Sequence, residues 1–177
     1  MTTPAWLPGL VTFASCHSDW PTYLETIYGH FKHDFIDTRP QFKALHVQLK
    51  RYPIFQDKEF TFWHITTEGE KEDERTPDFR RCERIRWPRP IIENRSDETI
   101  RVWPNKRGQD RRWVLWFVPE NYVVVLADRG RYMLLWTAYM LTYEHSREKM
   151  QKEYDEYLEK TDTVLEGGTD TPSTHGR

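Results

Sequence analysis

"TIRVWPNKRGQDRRWVLWFVPENYVVVLADRGRYMLLWTAYM", residues 99–140, is the stretch that decides the fold. It holds four runs rich in β-branched and aromatic side chains: TIRVW (99–103), RRWVLWFV (111–118), NYVVVLAD (121–128) and RYMLLWTAYM (131–140). Runs of this kind read as strands. The connections PNKRGQD, PE and RG are short enough to send each strand back beside its predecessor, so an antiparallel meander is expected.

Working outward, YEHSREKMQKEYDEYLEK (143–160) places Tyr143, Met150, Tyr154, Tyr157 and Leu158 on one face and charge elsewhere, which predicts a helix. On the other side, PTYLETIYGHFKHDFID (21–37) carries Leu24, Ile27, Tyr28, Phe31 and Phe35 on one stripe, with Pro21 suited to a first turn, so a second helix is expected. KALHVQLK (43–50) alternates Leu45, Val47 and Leu49 against His46, Gln48 and Lys50, the pattern of a half-buried strand. KEFTFWHITT (58–67) reads as a further strand from its aromatic and β-branched content. Residues 79–87 fit either a short helix or a short strand, and PIIEN reads as extended. The sum is an α+β chain: an N-terminal helix, a curved and mostly antiparallel sheet, and a C-terminal helix. The expected division is an irregular arm over 1–20, one domain over 21–160 and a flexible tail over 161–177.

The chain has 177 residues, 37% hydrophobic and 15% aromatic, and large rings allow a real core at that modest apolar content. The formal net charge is -2, so attraction to a polyanion has to come from local segregation rather than a global field. Cys16 and Cys82 make no CxxC pair, which argues against a zinc ribbon or a disulfide framework. The N-terminal stretch has no basic n-region, and no apolar run approaches the roughly 20 residues that span a bilayer. A cytoplasmic protein without a membrane partner is the expectation.

The charge is indeed segregated. RTPDFRRCERIRWPRP (75–90) gathers Arg75, Arg80, Arg81, Arg84, Arg86 and Arg89 around only Asp78 and Glu83. A guanidinium is always charged and grips phosphate through a planar fork. The plainer alternative is a salt-bridged surface. Lys106 and Arg107 are expected on a hairpin turn with Arg111 and Arg112 following, and Arg129 and Arg131 flank another turn. These clusters would line a groove in which Trp87, Trp103 and Trp113 offer faces to bases, although tryptophans at strand spacing are more often core.

Strand parity over FTFWHITTEG sets His64 with Phe60, Phe62 and Thr66. The same parity over RYMLLWTAYM sets Thr137 and Tyr139 with Met133 and Leu135. A hydroxyl pair near a histidine and arginines can orient a phosphodiester. His30 and His33, at i and i+3 beside Asp34, have the residue types of metal ligands, but a solvated helix face is the plainer reading. No Walker loop, GxGxxG, HExxH or GxSxG motif is present.

In order, FWHITTEG, RCERIRWPRPIIEN and RYMLLWTAYML resemble the barnase–EndoU–colicin E5/D–RelE (BECR) ribonuclease superfamily, in its phage-associated branch. The resemblance spans about residues 20–145. It implies metal-independent endoribonuclease activity without a cofactor, in toxins or phage and mobile-element conflict proteins. It assigns His64 to the early histidine, Thr137 and Tyr139 to the last-strand hydroxyls, and Arg84, with Arg81, to the basic residue between them. A second strand histidine is missing, so a two-histidine EndoU-style mechanism is not implied. The expected partners are RNA (tRNA or mRNA), an antitoxin or host protein, and a second copy in a homodimer. The alternatives are a non-catalytic nucleic-acid or protein adaptor of the same fold, or a structural protein whose arginines pair with its own acids.

Overall fold

The computed structural model describes residues 3–71 and 74–166. The architecture is α+β, and the chain divides into two compact units, Met1–Thr142 and Tyr143–Arg177. The expected α+β class therefore holds: an N-terminal helix, a curled, mostly antiparallel six-stranded sheet, and a C-terminal helix.

In the first unit the N-terminal arm is knitted into the core. Leu7 and Val11 are buried, the Val11 amide donates to the Glu83 carbonyl, and the Trp87 indole donates to the Pro8 carbonyl. Helix α1 (Trp20–Lys32) starts where Asp19 accepts the Thr22 amide at 3.0 Å and Pro21 needs no donor. Its stripe of Leu24, Ile27 and Phe31 is buried as expected, and a single π turn, His33–Asp37, carries Phe35 into the same core.

The meander is strands β5 (Ile100–Arg107), β6 (Asp110–Phe117), β7 (Tyr122–Asp128) and β8 (Met133–Met140). The short β1 (Gln41–Phe42) and β2 (Leu45–Gln48) extend it in the order β1-β2-β8-β7-β6-β5, with β2 parallel to β8. Strand β2 buries Val47 and exposes His46 and Gln48, as its alternation predicts. The curl is strong enough that Phe42 on β1 reaches Trp113 on β6, with ring centroids 5.5 Å apart. The supposed loop PNKRGQD is mostly strand: Asn105 pairs with Arg112, Lys106 with Arg111 and Arg107 with Asp110. Only Gly108 (φ 61°) and Gln109 turn the chain, and Pro104 is tolerated because β5 is an edge strand.

Two readings of local structure are corrected. KEFTFWHITT is not a strand; Phe60–Thr66 is helix α2. Its buried positions Thr61, Phe62, Ile65 and Thr66 follow a helical spacing, and packing of that face overrides the strand propensity of the side chains. PIIEN is not extended; Pro88–Glu93 forms α4, with Pro88 and Pro90 in the first turn where their missing amides cost nothing. Residues 79–83 resolve as helix α3 (Phe79–Glu83), and a two-strand ribbon of β3 (Thr67–Glu68) and β4 (Thr76–Pro77) joins α2 to α3.

A third correction concerns β8. The register slips between Val125 and Leu126: Val125 faces Thr137, whereas Leu126 faces Leu135. Trp136 is the extra residue of this bulge, and it reverses the parity beyond it. Met133 and Leu135 point into the main core with Ala138, while Thr137 and Tyr139 pair with Val125 and Val123 on the opposite face.

The second unit is helix α5 (Glu144–Glu166). It runs past residue 160, so 161–166 are helical rather than tail. The expected flexible tail otherwise falls on 167–177, outside the described residues. No helix among the described residues is long and apolar enough to cross a membrane.

Candidate functional site

Helix α2 sets His64 one turn after Phe60, so the two rings share an outward face. They stack at 5.7 Å with an interplanar angle of 16°, and Lys50 Nζ lies 3.8 Å from the centre of the Phe60 ring. The strand reading had put Phe62 on this face; in the helix Phe62 turns into the core. Beside the stack opens a cavity of about 490 Å³ lined by Pro53, Phe55, Phe60, Trp63, Thr67, Arg75 and Pro77. Trp63 is held by its indole N–H, which donates to the Phe55 carbonyl at 2.9 Å.

Arg75 fixes the floor of this region. Its Nε donates to Thr67 Oγ1 at 3.0 Å, one terminal nitrogen to the Gly69 carbonyl at 2.9 Å, and the other to the carbonyls of His64 and Thr67. Gly69 has φ +141°, and a β-carbon there would lie 3.2 Å from Arg75 Cα, so a side chain at this position strains the ribbon. Arg75 thus orders the β3–β4 ribbon through its own backbone partners.

Asp78 caps α3 by accepting the Arg80 amide at 2.9 Å and ion-pairs with Arg80 and Arg81, each at 3.5 Å. The Arg81 guanidinium lies 5.7 Å from the centre of the Tyr139 ring. Glu68, Asp78, Arg80, Arg81, Tyr139 and Thr142 line a small polar hollow of about 110 Å³. Arg84 sits one turn on, donating to the Arg80 carbonyl at 3.1 Å, pairing with Glu83 and stacking over Trp87 at 4.9 Å. Burial pushes the Tyr122 phenol up, and Arg81 with Arg84 pulls against that shift. Burial first, then the nearby Asp78 and Glu83, raises the Cys82 thiol to about 12, so it is no nucleophile.

The six arginines of 75–89 do not form one free wall. Arg75 is spent on backbone carbonyls, and Arg89 binds Glu93, Asp34 and Thr38. Arg86 is half-buried and close enough to His30 to depress its pKa, after burial as the larger cause. The hairpin cations are also divided, because strand parity sends Lys106 and Arg111 to one face and Arg107 and Arg112 to the other. Arg112 and Arg129 share Asp110 and both lie over Trp136, at 4.6 and 6.0 Å. Arg131 is exposed on the β7–β8 turn. Trp87 and Trp103 are buried, as core tryptophans are.

The structure therefore brings Arg80, Arg81 and Tyr139 together, ties Arg84 to the Arg80 carbonyl outside the residues that line the hollow, and gives Thr137 the same sheet face as Tyr139. His64 lies on α2, and α2 and α3 both pack against β8. Among the described residues no group of three His, Cys, Asp or Glu side chains is arranged to hold a metal ion. The sequence reading missed Lys43 and Arg95, which the curl of the sheet brings to Phe42 and Trp113. Comparison with protein-family models, curated proteins and solved structures returned no match.

Proposed function

We propose that the protein is a metal-independent endoribonuclease, acting in the cytoplasm as a toxin or mobile-element conflict protein. The observation that carries this reading is the seating of Arg81 on Tyr139, in a polar hollow at the end of β8. RNA supplies its own nucleophile, so the chain needs only to move protons and stabilise charge. His64 takes the 2′-hydroxyl proton, a 2′-oxygen–phosphorus bond forms, and the phosphorus–5′-oxygen bond breaks. Tyr139 donates the proton that the 5′-oxygen leaves with. Arg81, with Arg84, balances the charge that develops on the phosphoryl oxygens, and Thr137 orients the phosphodiester. The aromatic cavity beside His64 supports the same reading, since Phe55 and Trp63 offer faces on which an unpaired base stacks.

The test is cleavage of mixed RNA in EDTA, with the product ends identified. New 2′,3′-cyclic phosphate ends support the assignment. Intact RNA under conditions where it binds supports the second reading, a non-catalytic nucleic-acid adaptor. The self-paired arginines at Asp78 and Glu93 favour a third reading, a structural protein that does not bind polyanions at low salt.

A further inference from the structure

Four further cations lie outside the arginine-rich segment. Among the described residues no carboxylate makes an ion pair with Lys43, Arg95, Lys106 or Arg111. Lys43 Nζ sits 3.4 Å from the centre of the Trp113 ring and 5.9 Å from that of Phe42, and Arg95 stacks over Phe42 at 5.5 Å. Arg111 is two residues before Trp113 on the same face of β6, roughly 7 Å along the strand, and Lys106 is its cross-strand partner. Like charges directly opposite one another destabilise a sheet. Lys43 and Ala44 form the two-residue turn between β1 and β2 with φ of 49° and 64°, where glycine or asparagine is the comfortable choice. Neighbouring positive charges and a left-handed turn meet on one patch, where a bound anion would relieve the repulsion.

We propose that Lys43, Arg95, Lys106 and Arg111 form the docking surface for the RNA phosphate backbone. This rests on the proposed function for its choice of RNA and goes beyond it: the patch lies on the sheet face of Trp113 and Leu135, opposite that of Thr137 and Tyr139, so it holds RNA outside the proposed catalytic hollow. Burial and the neighbouring Arg95 hold the Lys43 ammonium below the usual lysine range, and a phosphate between the two cations relieves that repulsion. RNA fits better than an acidic protein. Protein interfaces are anchored by apolar side chains at their centre, whereas here the aromatic rings of Phe42 and Trp113 are capped by the cations themselves.

The experiment is a salt titration of binding to a short 2′-O-methyl oligoribonucleotide, which has no free 2′-hydroxyl and so cannot be cleaved. Replacing all four residues by glutamine lowers affinity at least about tenfold at low salt. It also makes the slope of log affinity against log salt shallower by about 3, since each lost single-strand phosphate contact removes about 0.7. The double variant Lys106→Gln with Arg111→Gln gives about half that change, and thermal melting reports that each variant is folded. A control with Lys32, Lys71, Lys149 and Lys152 changed to glutamine has the same net charge and binds as the parent does. Unchanged binding in the fourfold variant, equal loss in the control, or equally tight binding of polyglutamate overturns the proposal. Loss of binding in the fourfold variant supports it even where no RNA is ever cleaved, so its failure and that of the catalytic reading are distinguishable.

Discussion

Arg81 lies over the ring of Tyr139, 5.7 Å from its centre, while its Nε holds Asp78 at 3.5 Å. The guanidinium is thus fixed between α3 and β8, and the phenol is fixed with it. Tyr139→Phe keeps the ring under Arg81 and removes only the hydroxyl. Single-turnover cleavage is expected to fall about 10²-fold, the lower end of what general acid–base help supplies. Thermal melting reports that the variant is folded. Unaltered cleavage removes Tyr139 as the proton donor.

Arg75 serves stability. It donates to Thr67, Gly69 and the carbonyl of His64, which no shorter side chain can do at once. Arg75→Ala is expected to destabilise the protein by about 2–3 kcal/mol in denaturant titration, because charged hydrogen bonds are lost and carbonyls are stranded. Arg75→Lys recovers little, since an ammonium lacks the planar fork.

His30 makes the fold sensitive to acid. Burial, then the charge of Arg86 and His33, lowers its pKa below 6.5, with Asp34 opposing. The unfolded chain then binds the proton more readily, so stability is full above the unfolded pKa and falls as pH drops from about 6.5 through the folded value. His30→Gln is expected to flatten the dependence of the unfolding midpoint over that window. An equally steep dependence in the variant assigns it to another group.

Cys82 is buried, donates to the Thr66 carbonyl at 3.3 Å and has its pKa raised to about 12. Cys16 is buried as well. Thiol reagents at pH 8 are expected to label neither cysteine in the native protein and both in denaturant. Fast native labelling of Cys82 contradicts the packing of α3 against α2.

The meander was legible because four dense hydrophobic runs were divided by connections too short for anything else. Helix α2 was not, because Phe60, Phe62, Trp63 and Ile65 have strand propensity and only burial of Phe62, Ile65 and Thr66 reveals the helical period. Pro88 and Pro90 concealed α4, since prolines that begin a helix look the same in sequence as prolines that forbid one. The bulge at Trp136 leaves the alternation of β8 outwardly intact yet moves Thr137 and Tyr139 to the other face. The arginine crowd was visible, but its internal partners Asp34, Thr38 and Gly69 lie in other segments. The contact of Lys43 with Trp113 depends on the curl of the sheet and has no signature in either segment.

The most direct test of the central claim is the single-turnover rate of RNA cleavage in EDTA for the parent protein and for His64→Ala, each checked for an unchanged melting profile. The parent is expected to cut RNA to leave 2′,3′-cyclic phosphate ends, and His64→Ala, still folded, to lose at least about 10²-fold in rate. A folded His64→Ala protein that cuts as fast as the parent contradicts that claim.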